Sequence, residues 1–513
     1  MKNHQKDFHF TNSHILVLVW RGLLVGLVVG IVVSSFRLAI SRLTAVFHNL
    51  YQGASQSLSN LIILVLILLL SCLLLAKFLQ SEPNIKGSGI PHVEGELQGL
   101  MDPDWWSILW KKFFAGILSI SMGFMLGREG PSIQLGAMTA KGLGKKLGLS
   151  RMELHALIAS GAAAGLAAAF NAPIAGLLFV VEEVYRQFSR LTWITTLVAA
   201  LTANFVSLTL FGLTPVLHIE LDGPKLPLTQ YGLLVVLGII LGLLGWLYEA
   251  MTLNLPKFYG WIGRILHLKP AYYSIFALLF ILPIGYLWPD LLAGNHHLIL
   301  DLPSGHLMLG TVVLYLLIRW MGSMVSYGTG LPGGIFLPIL TLGSLAGSSI
   351  GLTMAELGLL SRDYLSLFIV LGMAGFFGAV SKAPLTAMIL VAEMVGSLEN
   401  LMVMGLVTFT AYLTMDLLKG KPIYEAMLEN MQLGEVEVEH DEMVMLELVV
   451  TERLGGRRIR DLSLPDHVLI TGQNHGGYAQ VVKGQTRLQT GASLYVLTPL
   501  SKTQQVRQYF VAE

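Results

Sequence analysis

Charge is scarce in this 513-residue sequence. Asp, Glu, Lys and Arg together make up 13% of it, about half the share of an ordinary soluble domain, which excludes a soluble enzyme of two or three domains. The 33 basic and 32 acidic residues leave a formal net charge of +1, so no basic excess exists to hold nucleic acid. Cysteine is nearly absent. Cys72 stands alone within an apolar run, which rules out an intramolecular disulfide and leaves the redox compartment open. Near Lys2 and Lys6 there is no short apolar region followed by a small-residue cleavage site, and the first apolar stretch reads as a retained helix rather than a signal peptide. A metal centre also lacks its ligands: the His296-His297 pair has no third ligand at convincing spacing, and a polar loop is its default reading. No metal and no cofactor are expected.

What fills the sequence instead is apolar: 54% of it is hydrophobic. Runs such as Leu61 to Leu79 and Leu233 to Trp246 approach the roughly 20 residues that a helix needs to cross a bilayer. From Ser13 to Leu418 such segments follow one another with short polar breaks. After Lys421 the character changes. An acidic stretch, Glu435 to Glu442, precedes short β-like runs at Met443 to Val450, His467 to Ile470, Tyr478 to Val482 and Ser493 to Leu497, separated by turn signals such as Gly455-Gly456 and Gly476-Gly477. The expected organisation is an all-α polytopic membrane domain over 1–430, an acidic linker over 431–443, and a small soluble α/β or mostly β domain over 444–513.

The polar breaks carry the information. Glycine and proline cluster within hydrophobic territory at Gly87-Ser-Gly-Ile-Pro91, Gly127-Arg-Glu-Gly-Pro131 and Gly333-Gly-Ile-Phe-Leu-Pro338. Each cluster precedes a helix-compatible apolar stretch, so each predicts a helix that begins inside the membrane. Irregular backbone at that depth is tolerated only where protein buries it or where it lines a cavity. The sequence also resembles itself. Gly161, Ala163, Ala168, Ala172, Pro173 and Glu182 fall on Gly372, Ala374, Ala379, Ala383, Pro384 and Glu393, while Pro131, Leu135 and Gly136 fall on Pro338, Leu342 and Gly343. Glycine-rich apolar sequence matches itself easily; the other explanation is an internal duplication, which in transporters often gives two halves of inverted topology with a site between them. Duplication is favoured.

Helix starts of this kind suit an anion. Burying a bare chloride ion forfeits roughly tens of kcal/mol of hydration, and a fixed full positive charge that repaid it would hold the ion too tightly to conduct. A helix N-terminus offers unpaired N–H groups and about half a unit of positive charge. Glycine lets the backbone approach the ion, and proline in the first turn forgoes no hydrogen bond. The plainer reading of such glycines is close helix packing. Glu129, deep in apolar sequence at one of these starts, is a functional candidate because intramembrane carboxylates are costly. As an anion it can occupy the place a chloride would take, and protonation would release it; a simple helix-capping carboxylate has the same geometry.

Gly-Ser-Gly-Ile-Pro at 87–91, Gly-Arg-Glu-Gly-Pro at 127–131, Gly-Gly-Ile-Phe-x-Pro at 333–338 and Lys-Pro-Ile-Tyr at 421–424 resemble, in order and spacing, the CLC chloride channels and transporters. The resemblance spans about four-fifths of the chain. It implies a homodimer in which each subunit has its own pore, with tilted, broken helices in inverted halves, in a cell membrane. It makes the hydroxyls of Ser88 and Tyr424 and the backbone amides of Ile335 and Phe336 the ligands of a central chloride, and Glu129 the outer gate and proton acceptor. Without the resemblance, Tyr424 reads as an interfacial aromatic. Glu183 matches the internal proton-transfer glutamate of the family's transporters, where its channels carry an apolar residue; alone, the Glu182-Glu183 pair could be a solvated helix end, and Glu182 a structural partner at a subunit or helix interface. Lys112 matches a lysine that balances buried carboxylates, with snorkelling as its alternative. His92 stands where some relatives have a carboxylate. Ser88 favours chloride over the nitrate-selective and fluoride-selective branches.

The tail segments Val450 to Gly456 and Leu488 to Tyr495 resemble the C-terminal subdomain of regulators of potassium conductance. That implies a cytoplasmic module that dimerises and sometimes binds a small molecule; Ala492 departs from the aspartate usual there. The functional expectation is therefore secondary active exchange of chloride for protons, with chloride, protons, the bilayer and a second copy as partners. A passive voltage- or pH-gated chloride channel and a fluoride-selective variant are the alternatives. An intramembrane hydrolase using Ser88 and His92 finds no oxyanion hole or substrate path to support it.

Overall fold

The computed structural model describes residues 12–184, 190–221, 225–294, 296–304, 307–431, 443–451, 453–465, 467–475, 478–499 and 502–511. The acidic run at 435–442 and the Gly476-Gly477 turn lie outside the described residues. The chain divides into two compact units, residues 1–97 with 103–431 and residues 98–102 with 432–513.

The first unit is helical. Its helices are α1 (Asn12–Ala54), α2 (Leu58–Ser81), α3 (Ile90–Leu97), α4 (Trp105–Ser121), α5 (Glu129–Lys146), α6 (Arg151–Phe170), α7 (Pro173–Phe179) and α8 (Arg190–Phe211), then α9 (Tyr231–Leu266), α10 (Tyr273–Leu287), α11 (His296–Asp301) and α12 (Leu309–Gly328). The last five are α13 (Phe336–Glu356), α14 (Leu365–Ser381), α15 (Pro384–Val395), α16 (Leu401–Leu417) and α17 (Ile423–Asn430). Among the described residues, nine helical segments are long and apolar enough to cross a membrane. They form two populations. The spans at α6, α13 and α14 are 83–89% buried, against 28–39% for the other six, so three apolar helices form an inner layer and the rest turn most of their surface outward, as lipid requires.

Small residues build that inner layer. Gly136 on α5 and Gly161 on α6 are so close that a Cβ on either would run into the other's carbonyl oxygen. Gly343 on α13 and Gly372 on α14 repeat the contact. These are the positions that the two halves share in sequence, and the close approach is the physical reason for glycine there.

A second correspondence joins the halves. Pro173 and Pro384 each occupy the first turn of a helix, α7 and α15, where a missing N–H costs nothing. The following amides meet a carboxylate from the opposite half: Glu393 accepts from Ile174 N at 3.1 Å and Ala175 N at 2.8 Å, and Glu182 accepts from Leu385 N at 3.2 Å and Thr386 N at 2.7 Å. The Thr386 hydroxyl adds a bond to Glu182 at 2.6 Å. Glu182 is thus a partner at a helix interface within one chain.

The second unit carries four strands, β1 (Met443–Val449), β2 (Leu469–His475), β3 (Tyr478–Val481) and β4 (Ser493–Pro499), followed by α18 (Thr503–Val511); three fall on the expected runs, whereas β2 begins at Leu469 and extends to His475 instead of spanning His467 to Ile470. Strand order is β1-β4-β2-β3 and every pairing is antiparallel. The sheet therefore lacks the parallel crossovers of a strict α/β domain. Alternation puts Leu446, Leu448, Leu494 and Val496 on one face with Val506 and Phe510 of α18, a small core that fits a soluble domain.

Candidate anion-binding site

The three glycine-rich breaks open α3, α5 and α13. Residues 124–129 and 331–336 follow the same backbone course, and at their centres Gly127 and Gly334 exchange two hydrogen bonds of 2.7 Å. The third break joins them: Gly87 N donates to Gly330 O at 3.3 Å, and Gly333 N donates to Gly87 O at 3.1 Å. Gly87 and Gly89 turn through φ of 62° and 87°, a region glycine enters without penalty. Gly130 packs directly on Ser88, where an added Cβ would lie 2.8 Å from the serine's own. Three helix starts are thereby held together by backbone-to-backbone bonds.

Onto this frame the sequence places its candidate side chains. Glu129, the first residue of α5, is fully buried, and its carboxylate makes no well-formed hydrogen bond, the nearest donors being the backbone N–H groups of Arg128 and of Glu129 itself. Arg128 Nε stands 3.7 Å from Oε1, too far for a hydrogen bond. Ser88 is buried, and its Oγ accepts the Ile90 N–H at 3.3 Å. Ile335 caps α13 and Phe336 begins it. The Phe336 ring packs at 4.4 Å on Phe377 and at 5.8 Å on Phe179, which in turn meets Tyr424 at 6.2 Å between centroids. Tyr424 is wholly buried, and its hydroxyl has no hydrogen-bond partner. A buried polar atom without a partner needs an explanation, and the Glu129 carboxylate and the Tyr424 hydroxyl both call for one. Glu183 lies buried in the π-turn Val180–Val184 that continues α7, within electrostatic reach of the Tyr424 hydroxyl.

Two expectations are sharpened. Lys112 neither snorkels nor simply faces carboxylates: its Nζ donates to the carbonyls of Ile85 and Gly87 at 2.8 and 2.7 Å, fixing the break that carries Ser88. His92 is buried on α3, whereas Ser88 precedes that helix, and His92 Nδ1 has no partner; the two do not make a nucleophile–base pair. Sequence reading overlooked three further features. Lys141 pairs with Glu96 at 2.6 Å, buried, and also donates to Pro103 O at 2.7 Å. Arg319 is fully buried and donates to Leu291 O at 2.9 Å and Ala293 O at 2.6 Å. Arg128 lines a cavity of about 450 Å³ between α1, α11 and the turn at 289–294. The signal for the first two was present, since each is a charge inside apolar sequence.

Comparison with known proteins agrees with this geometry. Residues 67–416 match the family model described as voltage gated chloride channel. An H(+)/Cl(-) exchange transporter, ClcA of Vibrio cholerae, is 32% identical over 434 residues, covering 80% of this chain and 89% of the relative. The crystal structure of a slow cyanobacterial Cl-/H+ antiporter superposes with a TM-score of 0.73 at 28% identity, over 80% of this chain and 97% of its own. The fold is shared as well with a CLC-type fluoride/proton antiporter, at a TM-score of 0.65 and 24% identity over 79% and 96% of the two chains. A multi-pass membrane protein with its helix starts knotted at one buried point, this chain belongs to the voltage gated chloride channel family.

Proposed function

We propose that the protein is a secondary active antiporter that exchanges chloride for protons across the membrane. The observation that carries this reading is the junction of α3, α5 and α13, where Gly127 and Gly334 bond backbone to backbone beside a buried glutamate whose carboxylate makes no well-formed hydrogen bond. A buried carboxylate with no well-formed hydrogen bond is costly when charged and far less so when neutral. Chloride and Glu129 compete for the same N–H groups; a proton on Glu129 removes it from the competition, so occupancy by one ion governs movement of the other.

In this reading the Ile335 and Phe336 amides and the hydroxyls of Ser88 and Tyr424 hold the chloride. The Ser88 oxygen accepts from Ile90 N and its hydroxyl lies against Tyr327, so an anion would take that proton from the tyrosine, while the Tyr424 hydroxyl makes no hydrogen bond within the protein. Neutral donors of this kind stabilise an ion without binding it irreversibly. Glu129 is the gate and proton acceptor, and Glu183, beyond Tyr424, passes protons on the inner side. Support for an inverted repeat comes from the reciprocal Glu182 and Glu393 caps and the paired glycine contacts. Residues 1–430 form the transport domain, 431–443 a linker, and 444–513 a cytoplasmic module like the C-terminal subdomain of potassium-conductance regulators, which joins two subunits and takes a small ligand.

Reconstituted liposomes test the reading. An imposed chloride gradient drives protons uphill through the native protein, and Glu183→Val stops the protons while chloride still passes. Chloride flux with no proton flux in the native protein would establish passive conduction instead.

A further inference from the structure

The Tyr424 hydroxyl makes no hydrogen bond of its own, so its position follows from ring packing and from the backbone of α17, which begins one residue earlier at Ile423. The approach to α17 is the strap Gly420-Lys421-Pro422. Proline carries no N–H, which leaves the Lys421 amide as the last donor before the helix. Glu249 of α9 takes it: Lys421 N donates to Glu249 Oε1 at 2.8 Å, across 172 residues of sequence. A Cβ added at Gly420 would lie 2.9 Å from Glu249 Oε2, so the strap runs directly over the carboxylate. Glu249 is 6% exposed in an apolar stretch of α9, and a carboxylate in such a place is costly enough to point to a function. The ammonium groups of Lys382 and Lys421 are within electrostatic reach of it. Both are engaged elsewhere, Lys382 with Asp416 at 2.7 Å and Lys421 with Glu429 at 2.6 Å. What Glu249 grips is therefore backbone. Tyr248, its neighbour on α9, is within electrostatic reach of the Tyr424 hydroxyl, which puts this turn of α9 beside the pocket.

We propose that Glu249 is a positioning residue for Tyr424: by holding the Lys421 amide it sets the depth at which the tyrosine hydroxyl stands in the anion pocket, and so the strength with which chloride is held. This role rests on the reading of Tyr424 as a chloride ligand. Tyr424 lies three residues beyond the gripped amide, and Ile423 and Tyr424 are both fully buried, so a shift of the strap is carried straight into the ring. The sign of the effect separates positioning from plain electrostatics. A carboxylate repels an anion, so if charge were all that Glu249 supplied, removing it would tighten chloride binding. Removing the grip should loosen binding instead, because a buried amide left without an acceptor rearranges to find one. Glutamine keeps an acceptor oxygen and loses the charge; alanine loses both.

The test is calorimetry of chloride binding to the full-length protein in detergent. Glu249→Ala should weaken binding by about fivefold, the size of one lost hydrogen bond, while Glu249→Gln should stay within about twofold of the native protein. Because Glu249 acts through Tyr424, the effects should not multiply. Glu249→Ala combined with Tyr424→Phe should bind about fivefold more weakly than the native protein, as Tyr424→Phe does alone, and not roughly 25-fold. Gly420→Ala disturbs the same strap without touching the glutamate, since its Cβ meets Met415 Cε at 2.8 Å and Glu249 Oε2 at 2.9 Å. It should also weaken chloride binding, and that effect should vanish in the Tyr424→Phe background, which keeps the proposal testable if Glu249→Ala does not fold. Tighter or unchanged binding in Glu249→Ala, equal weakening by Glu249→Gln, or effects that multiply would overturn the proposal. If Tyr424→Phe weakens binding as expected and the strap variants are silent, only the positioning role fails; if Tyr424→Phe is itself silent, the chloride-site reading fails with it.

Discussion

The two halves of the membrane unit use one backbone device twice and finish it differently. Each runs a glycine strap into a helix start, and each pairs that strap with the other. Two residues after the bridging glycine, one half has Glu129 and the other Phe336. The carboxylate is buried without a well-formed hydrogen bond, while the ring is packed among Phe170, Phe179 and Phe377. The comparison teaches a division of labour. The backbone of the two helix starts is alike, and the side chain that follows each bridging glycine tells them apart.

The largest effect should come from breaking what the halves share. Gly161→Leu and Gly372→Leu each drive a side chain into the facing backbone, which a packed interior does not accommodate. Both variants should fail to yield monodisperse protein by size-exclusion chromatography; tolerance of one alone would show that the halves bear load unequally. Next comes the position where they differ. Glu129→Ala should fold, move chloride and lose coupled proton flux, whereas Phe336→Leu should retain coupling; the proton-to-chloride ratio in liposomes reads both. The reciprocal caps are expected to be smaller and similar, with Glu182 slightly the larger because the Thr386 hydroxyl adds a third bond to it. Glu182→Gln and Glu393→Gln each weaken charge-assisted bonds to helix amides, at about 1–3 kcal/mol, seen as comparable decreases in thermal midpoint. The smallest effect is Tyr424→Phe, which removes one neutral hydroxyl and should weaken chloride binding by about 1 kcal/mol, roughly fivefold by calorimetry, without changing stability.

Legibility from sequence followed the range of the interaction. Broken helices at Ser88, Glu129 and Ile335 were readable because glycine and proline inside apolar runs are local signals, and three of the four strands of the tail were readable because alternation is local too. The partners of Glu182 lie some 200 residues away, and a glutamate near a helix end looks alike whether it faces water or a distant amide. Lys112 shows the same limit: its carbonyl partners precede it by 25 and 27 residues, beyond the reach of any periodicity. The cavity over Arg128 is assembled from α1, α11 and two turns, and no single segment announces it.

The crossed glutamates bear on how the molecule can move. Each half holds the first turn of a helix belonging to the other, and the glycine bridge adds a second fastening at the centre. Swinging one half bodily past its counterpart would tear all of these at once. Rotation of a side chain such as Glu129 about its own bonds disturbs none of them. In a scaffold clasped in this way, motion is cheapest where only a side chain has to turn.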